Sequence, residues 1–286
     1  MALDLDRGIA LTWHPDLAGI DPGHVNSVLC AIDDRRRQSR CALLFPGDIM
    51  QEQRLINPHF NEWSFEQAAV KFLTNDPSIG MVALIKPSKR IGEVSCFANF
   101  ASVSQVGSAK LYDKFGNTSE HLIGLLNSLR RSLGNCPQVR HVVLVGFSRG
   151  GIVLNQLVTE LAHYENDQLW SCIDEVRWLD SGNSPDVGAF PLDEQAMQAF
   201  GRMVKSRVIK VLICGTPFQW NDPFRRHVVA ERRLFTRILH EHAQTPQFCV
   251  RYYFVDEMPN IGNHFEVLTS HLDPLSGVDI TDDNNT

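Results

Sequence analysis

The chain has 286 residues, 43% of them hydrophobic, and a formal net charge of −6. That apolar fraction is ample for a packed core, and the length suits one large α/β domain. The acidic balance argues against a nucleic-acid surface, which needs clustered base, and no apolar run approaches the roughly 18 residues that span a membrane.

Seven cysteines, at positions 30, 41, 96, 136, 172, 214 and 249, are scattered and odd in number, so reduced thiols are expected rather than a disulfide frame. There is no Cys-x-x-Cys or His-Glu-x-x-His spacing, and neither a metal nor another cofactor is expected. Residues Met1 to Arg7 have neither the apolar run of a signal peptide nor the Arg-rich, acid-poor character of a transit peptide, so the expectation is a soluble cytoplasmic protein.

In chain order, strands are expected over 8–13 and 26–33. Arg35, Arg36, Arg37 and Arg40 follow Asp33-Asp34 as a solvated hairpin turn, leading into a short buried strand, Cys41 to Phe45. Pro46-Gly47-Asp48 comes next. A glycine after such a strand lets the backbone approach a substrate, and the N–H of Asp48 or Ile49 is a candidate oxyanion donor. A helix over 61–74 and a strand over Met81 to Ile85 follow. Residues 88–117 show little periodicity and are expected to form a lid or substrate loop or to hide an unread element, with Phe97, Phe100, Tyr112 and Phe115 either walling an acyl site or, at least as readily, packing in the core. A helix over 118–133 enters through Asn117 or Thr118 and ends with Arg130 and Arg131 in its last turn, where the helix dipole favours them.

The most informative stretch is Arg140 to Leu157. A β-branched strand stops at Gly146, Ser148 sits between Gly146 and Gly150, and an amphipathic helix over 150–164 begins at once. This is the Gly-x-Ser-x-Gly form of a nucleophile elbow, a strained turn that presents a serine Oγ to open space. The bare pattern arises by chance in roughly one such chain in ten; its strand–turn–helix setting gives it weight. Arg149 N–H, just after the serine, is the second candidate oxyanion donor.

Further strands over 175–179, 208–214 and 248–254 alternate with helices over 193–205 and 224–243. Alternation from residue 40 onward implies a mostly parallel sheet with helices on both faces and a hairpin-like N-terminal edge, that is, an α/β-hydrolase fold in a single domain over 1–278. Residues 279–286 are expected to be a disordered acidic tail. Ligands of such sheets bind at the carboxyl ends of the strands. A serine needs a base, and imidazole suits that task at neutral pH. In the chain order serine, acid, histidine, His264 is the candidate base, in a loop after the last strand, while His271 falls in the frayed end. Asp222 is the favoured acid and Asp180, at the end of the preceding strand, its alternative.

Several blocks carry a family resemblance: Leu43-Leu44-Phe45-Pro46-Gly47-Asp48, Glu62-Trp63-Ser64-Phe65-Glu66, Ser95-Cys96-Phe97-Ala98-Asn99-Phe100, Val145 to Gly150, Trp178-Leu179-Asp180, Thr216-Pro217-Phe218-Gln219, Asp222-Pro223 and Asn263-His264-Phe265. Together they resemble an uncharacterised α/β-hydrolase-like family whose human member carries a chromosome 2 open-reading-frame name. The resemblance implies a serine-hydrolase fold and, in animals, a mitochondrial setting; it implies no settled substrate. The leading reading is a serine hydrolase of esterase, lipase or thioesterase type acting on a small-molecule or lipid-like acyl substrate. A non-catalytic binding or scaffold protein of the same fold is the rival. A nucleotide-binding protein is disfavoured, because the P-loop lysine and the Gly-x-Gly-x-x-G spacing are both missing.

Overall fold

A computed structural model describes residues 8–36, 40–134, 141–183, 185–243, 247–273 and 276–280. In chain order the elements are β1 (Ile9–Ala18), β2 (Val25–Asp33), β3 (Arg40–Phe45), α1 (Phe65–Asn75), β4 (Ile79–Ile85), β5 (Lys89–Ile91), β6 (Val94–Cys96), α2 (Thr118–Leu133), β7 (Val142–Phe147) and α3 (Gly151–Glu160). They continue as α4 (Asp167–Trp170), β8 (Ile173–Leu179), α5 (Glu194–Arg207), β9 (Lys210–Gly215), α6 (Pro217–Trp220), α7 (Arg226–His242), β10 (Phe248–Tyr253), α8 (Ile261–Ser270) and β11 (Gly277–Asp279).

Nine strands form one sheet in the order β1-β2-β4-β3-β7-β8-β9-β10-β11. From β4 to β10 every neighbouring pair is parallel, while β1–β2, β2–β4 and β10–β11 are antiparallel. The strand alternation explains the layers. Leu43, Phe45, Val142 and Leu144 point to one face, against Leu125 of α2, Leu157 of α3, Phe200 of α5 and Phe235 of α7. Ala42, Leu44, Val143, Val145 and Phe147 point to the other, against Phe72 of α1 and Phe265 of α8. Each fully buried side chain of this kind contributes roughly 1.5–3 kcal/mol, and burial of both faces is why these strands read as continuous apolar runs.

Several expectations are corrected. The turn after Asp33 does not join a hairpin: β4 lies between β2 and β3. The arginines there are also paired, although Arg35 remains largely exposed to solvent. Arg35 and Arg36 hold the buried Asp33 carboxylate, Arg36 also donates to the carbonyls of Leu73 and Asp76, and Arg40 pairs with Glu175 at 2.7 Å; Arg37 lies outside the described residues. Asn117 makes no side-chain cap at α2; the Glu160 carboxylate of α3 does so, accepting from Thr118 and Ser119 N–H at 2.7 and 3.0 Å.

Residues 88–117 are not a bare loop. They begin with the β5–β6 hairpin, and Phe97 and Phe100 pack edge-on against the buried Phe45 ring. Tyr112 donates to the Gly188 carbonyl, and Phe115 is exposed beside His163. Asp279 is not tail but the last residue of β11, whose pairing with β10 continues into a bond from Ile280 N–H to Val250 O; 281–286 lie outside the described residues. Six cysteines are free thiols, four of them buried, and Cys136 lies outside the described residues. No helix among the described residues is long and apolar enough to cross a membrane.

Candidate active site

The carboxyl ends of β3, β7, β8, β9 and β10 converge on one rim. Six non-glycine residues among those described have positive φ, and four of them stand just past these ends: Ile49 at 69°, Ser148 at 52°, Asp180 at 45° and Phe254 at 56°. A left-handed conformation costs an L-residue of order 1 kcal/mol or more, so its concentration on one rim marks a functional region.

At the end of β7 the elbow forms as the glycine spacing requires. A Cβ on Gly150 would fall 1.9 Å from the Phe45 carbonyl oxygen, and one on Gly47 would fall 2.6 Å from Ser148 Cβ. Close approach therefore seats the loop after β3 directly against Ser148. The same geometry narrows the oxyanion donors. Ile49 N–H is occupied, donating to Glu93 O at 3.3 Å, which removes it from the expected pair. Asp48 N–H has no backbone acceptor among the described residues, and Arg149 N–H lies in the first turn of a helix, where donors have no intrahelical acceptor.

The side chains of these two residues are bound to each other. Arg149 Nε lies 3.0 and 2.9 Å from the two Asp48 carboxylate oxygens. Asp48 also accepts from Ser95 N–H at 2.6 Å, and Ser95 Oγ donates to Gly47 O at 2.9 Å. Arg149 Nη1 reaches Gly107 O and Asn183 Oδ1, both at 3.3 Å, and the residue is only 2% exposed. Arg149 thus ties the loop after β3 to the turns after β6 and β8.

His264 is not in a loop; it occupies the first turn of α8, whose N-terminus is capped by Asn260 accepting from Asn263 N–H at 2.8 Å. Its Nδ1 donates to Asp180 Oδ2 at 2.7 Å. Asp180 is fully buried and further fixed by Thr216, whose N–H and Oγ1 donate to its two oxygens at 2.8 and 2.6 Å. The imidazole lies between two rings, Phe147 and Phe218, at centroid distances of 4.7 and 4.6 Å. Because Phe147 precedes Ser148, that contact places the ring beside the elbow. Among the described residues Ser148 Oγ and His264 Nε2 carry no hydrogen bond; catalytic contacts are often loose until substrate is bound.

Asp222 is not the carboxylate behind the imidazole. It accepts from Phe224 N–H at 2.8 Å and pairs with Arg225 at 2.6 Å. Burial would raise its pKa, but those bonds and the guanidinium charge leave it below the ordinary carboxylate value. The interval from Gly215 is too long because α6 intervenes, and the turn after β8 is nearer. His271 is not frayed either. It is buried at the end of α8, donates from Nδ1 to Val267 O at 2.8 Å, and accepts from Arg177 at 3.3 Å. Sequence reasoning missed Thr216, Phe147, Phe218 and Asn183 as supports. Thr216-Pro217 carried a readable signal, an N-cap threonine followed by proline; the others became visible only through contacts distant in sequence.

A model of the C2orf69 family matches residues 134–245. The chain is 27% identical over 287 aligned positions to the zebrafish (Danio rerio) protein named mitochondrial protein C2orf69 homolog, covering 87% of this chain and 82% of that one. It is 26% identical to human mitochondrial protein C2orf69, covering 79% and 72%. The chain is similar to the C2orf69 proteins. The C2orf69 match takes in Ser148, Arg149 and Asp180 but stops short of His264. Among solved structures, carboxyl esterase 2 of Tuber melanosporum superposes with a TM-score of 0.53 at 9% identity, over 93% of this chain and 83% of that one. The architecture of the chain is thus the α/β-hydrolase fold.

Proposed function

We propose that the protein is a serine hydrolase acting on an acyl ester-like substrate, with Ser148 as nucleophile, His264 as base and Asp180 as the acid that orients it. The observation that carries this reading is the buried Asp180–His264 bond of 2.7 Å, with the imidazole packed at a tilt against the residue that precedes Ser148. As Ser148 Oγ bonds to the acyl carbon, His264 Nε2 takes its proton, and the Asp180 carboxylate stabilises the resulting imidazolium. The N–H groups of Asp48 and Arg149 hold the oxyanion. When the acyl C–O bond breaks, the leaving oxygen receives the proton from Nε2; water then attacks the acyl-enzyme, giving its proton to Nε2, which passes it to Ser148 Oγ as the acid departs. The overall change is ester plus water to carboxylic acid plus alcohol, and no cofactor takes part.

Labelling by a fluorophosphonate tests this. The probe is expected on Ser148 of the wild type, with none on Ser148→Ala and strongly slowed reaction on His264→Ala. A folded wild-type protein that resists the probe defeats the hydrolase reading. It would favour a non-catalytic binding role, to which the unbonded Ser148 Oγ also lends itself. The relatives' names carry the word mitochondrial, and we infer the same setting for this protein in place of the cytoplasm; fractionation of cells expressing the full-length protein checks that.

A further inference from the structure

Beside the loop that follows β3 lies a cleft of about 540 Å³, walled by Ile49, Leu55, Ile56, Pro58 and Phe60, with Glu93 among its polar lining. Its volume is in the range of sites that take small organic ligands. Two contacts join it to the candidate active site. Ile49 stands two residues after Gly47, the glycine pressed on Ser148. Phe60 meets the ring of Phe265, the neighbour of His264, at a centroid distance of 6.0 Å. The cleft therefore starts at the loop whose Gly47 packs on Ser148. Its apolar side chains are only partly covered: Ile49 and Phe60 are half-buried at the edge of the Phe147–Phe265 cluster, and Leu55 is 58% exposed. The ionised group in its lining among the described residues is the Glu93 carboxylate, which is largely solvent-exposed and paired with Arg90 at 3.3 Å.

We propose that this cleft receives the acyl chain of the ester that Ser148 attacks, and that the preferred chain is neutral and apolar. The proposal rests on the hydrolase reading above. Burying successive methylenes against Leu55 and Phe60 removes apolar surface from water, whereas a carboxylate at the end of the chain would lose its own hydration against an apolar wall while the nearby Arg90 is already engaged by Glu93 at 3.3 Å. A chain pointing the other way would leave Leu55 exposed and Phe60 half-covered.

The experiment is kcat/KM for p-nitrophenyl esters from acetyl to decanoyl, and for one ester whose acyl chain ends in a carboxylate. Labelling of wild-type Ser148 by a short methyl fluorophosphonate is read in parallel. The expected result is a rise of up to about fourfold per methylene until the cleft is full, with the carboxylated chain falling well below its neutral counterpart. Leu55→Trp should move the optimum toward acetyl, and Leu55→Ala should flatten the rise. A profile indifferent to chain length, or an optimum unmoved by both substitutions while Ser148 still takes the probe, overturns the cleft and leaves the hydrolase standing. Failure of the folded wild type to take the probe removes the hydrolase reading, and the cleft assignment with it.

Discussion

Helix α8 and the residue that caps its C-terminus carry two buried histidines, His264 and His271, and strand β8 with the turn after it supplies a charged partner to each, yet the two ends have opposite chemistry. At the carboxyl end of the sheet, His264 Nδ1 faces the Asp180 carboxylate and its Nε2 is left unbonded among the described residues. At the far end, His271 faces a guanidinium. Arg177 is itself held by Asp76 at 2.9 Å and Glu175 at 2.7 Å, and both nitrogens of His271 are engaged. Burial, with the Arg177 charge added, holds the pKa of His271 down to about 3. One imidazole is therefore supported from behind and left open in front, as a base must be. The other is a neutral packing group. A histidine in a buried polar cluster is no sign of chemistry until the charge of its partner and the state of its second nitrogen are known.

The sharpest way to break this contrast is at the carboxylates. Asp180→Asn should lower kcat by about 10⁴-fold, because an amide no longer enforces the productive tautomer, while thermal unfolding shows the fold retained. Asp222→Asn should change kcat by less than about tenfold, since its partners are Arg225 and a local N–H. Equal losses in the two variants would sink the assignment of the acid. At the other end the expected effect is on stability. Arg177→Met leaves Asp76 and Glu175 without their shared cation in a buried site and should cost about 3–5 kcal/mol in urea titration, with kcat per folded molecule unchanged.

Between these lies the Arg149–Asp48 pair, which touches the elbow without contributing a reacting atom from its side chains. Asp48→Asn should slow turnover by about 10²-fold at unchanged KM if the loop N–H loses its aim, an effect no larger than loss of one oxyanion donor. Arg149→Lys, which keeps the charge but not the fork, should retain part of that activity. The smallest effect is that of pH. His271, and His121, whose pKa burial lowers to about 4, stay neutral in the fold while the unfolded chain takes up protons below about 6.5. Each adds stability that is fully present above pH 6.5 and is lost as pH falls toward the folded value. From pH 7 to pH 5 the loss is about 2 kcal/mol per histidine, so His271→Gln should flatten the pH dependence of unfolding midpoints, whereas His264→Gln tests whether the open imidazole contributes at all.

Much of this was legible in the chain. The run Val142 to Phe147 is followed, two residues after Ser148, by a glycine because Gly150 must pass the Phe45 carbonyl, and that local constraint is written in local sequence. The alternation of apolar strands and amphipathic helices likewise reports burial on two faces. What sequence could not supply was pairing at a distance. The choice between Asp180 and Asp222 depends on α6 standing between β9 and Asp222, and on Thr216 turning back to Asp180. The apparent lid over 88–117 misled because Phe97 and Phe100 are spaced for a hairpin and a turn, a pattern without helical period, although both rings belong to the core. The N-terminal turn misled because nothing near Arg36 reveals that β4 will insert beside β2.

The bond from Asp180 to His264 spans 84 residues, and its imidazole comes from the last helix described. A chain emerging from the ribosome therefore carries its serine elbow long before it has a base to go with it. On the proposed reading, the rim must wait until α8 has packed against α1 and α6, so a nascent or C-terminally clipped polypeptide is expected to be chemically silent even where most of the sheet has formed.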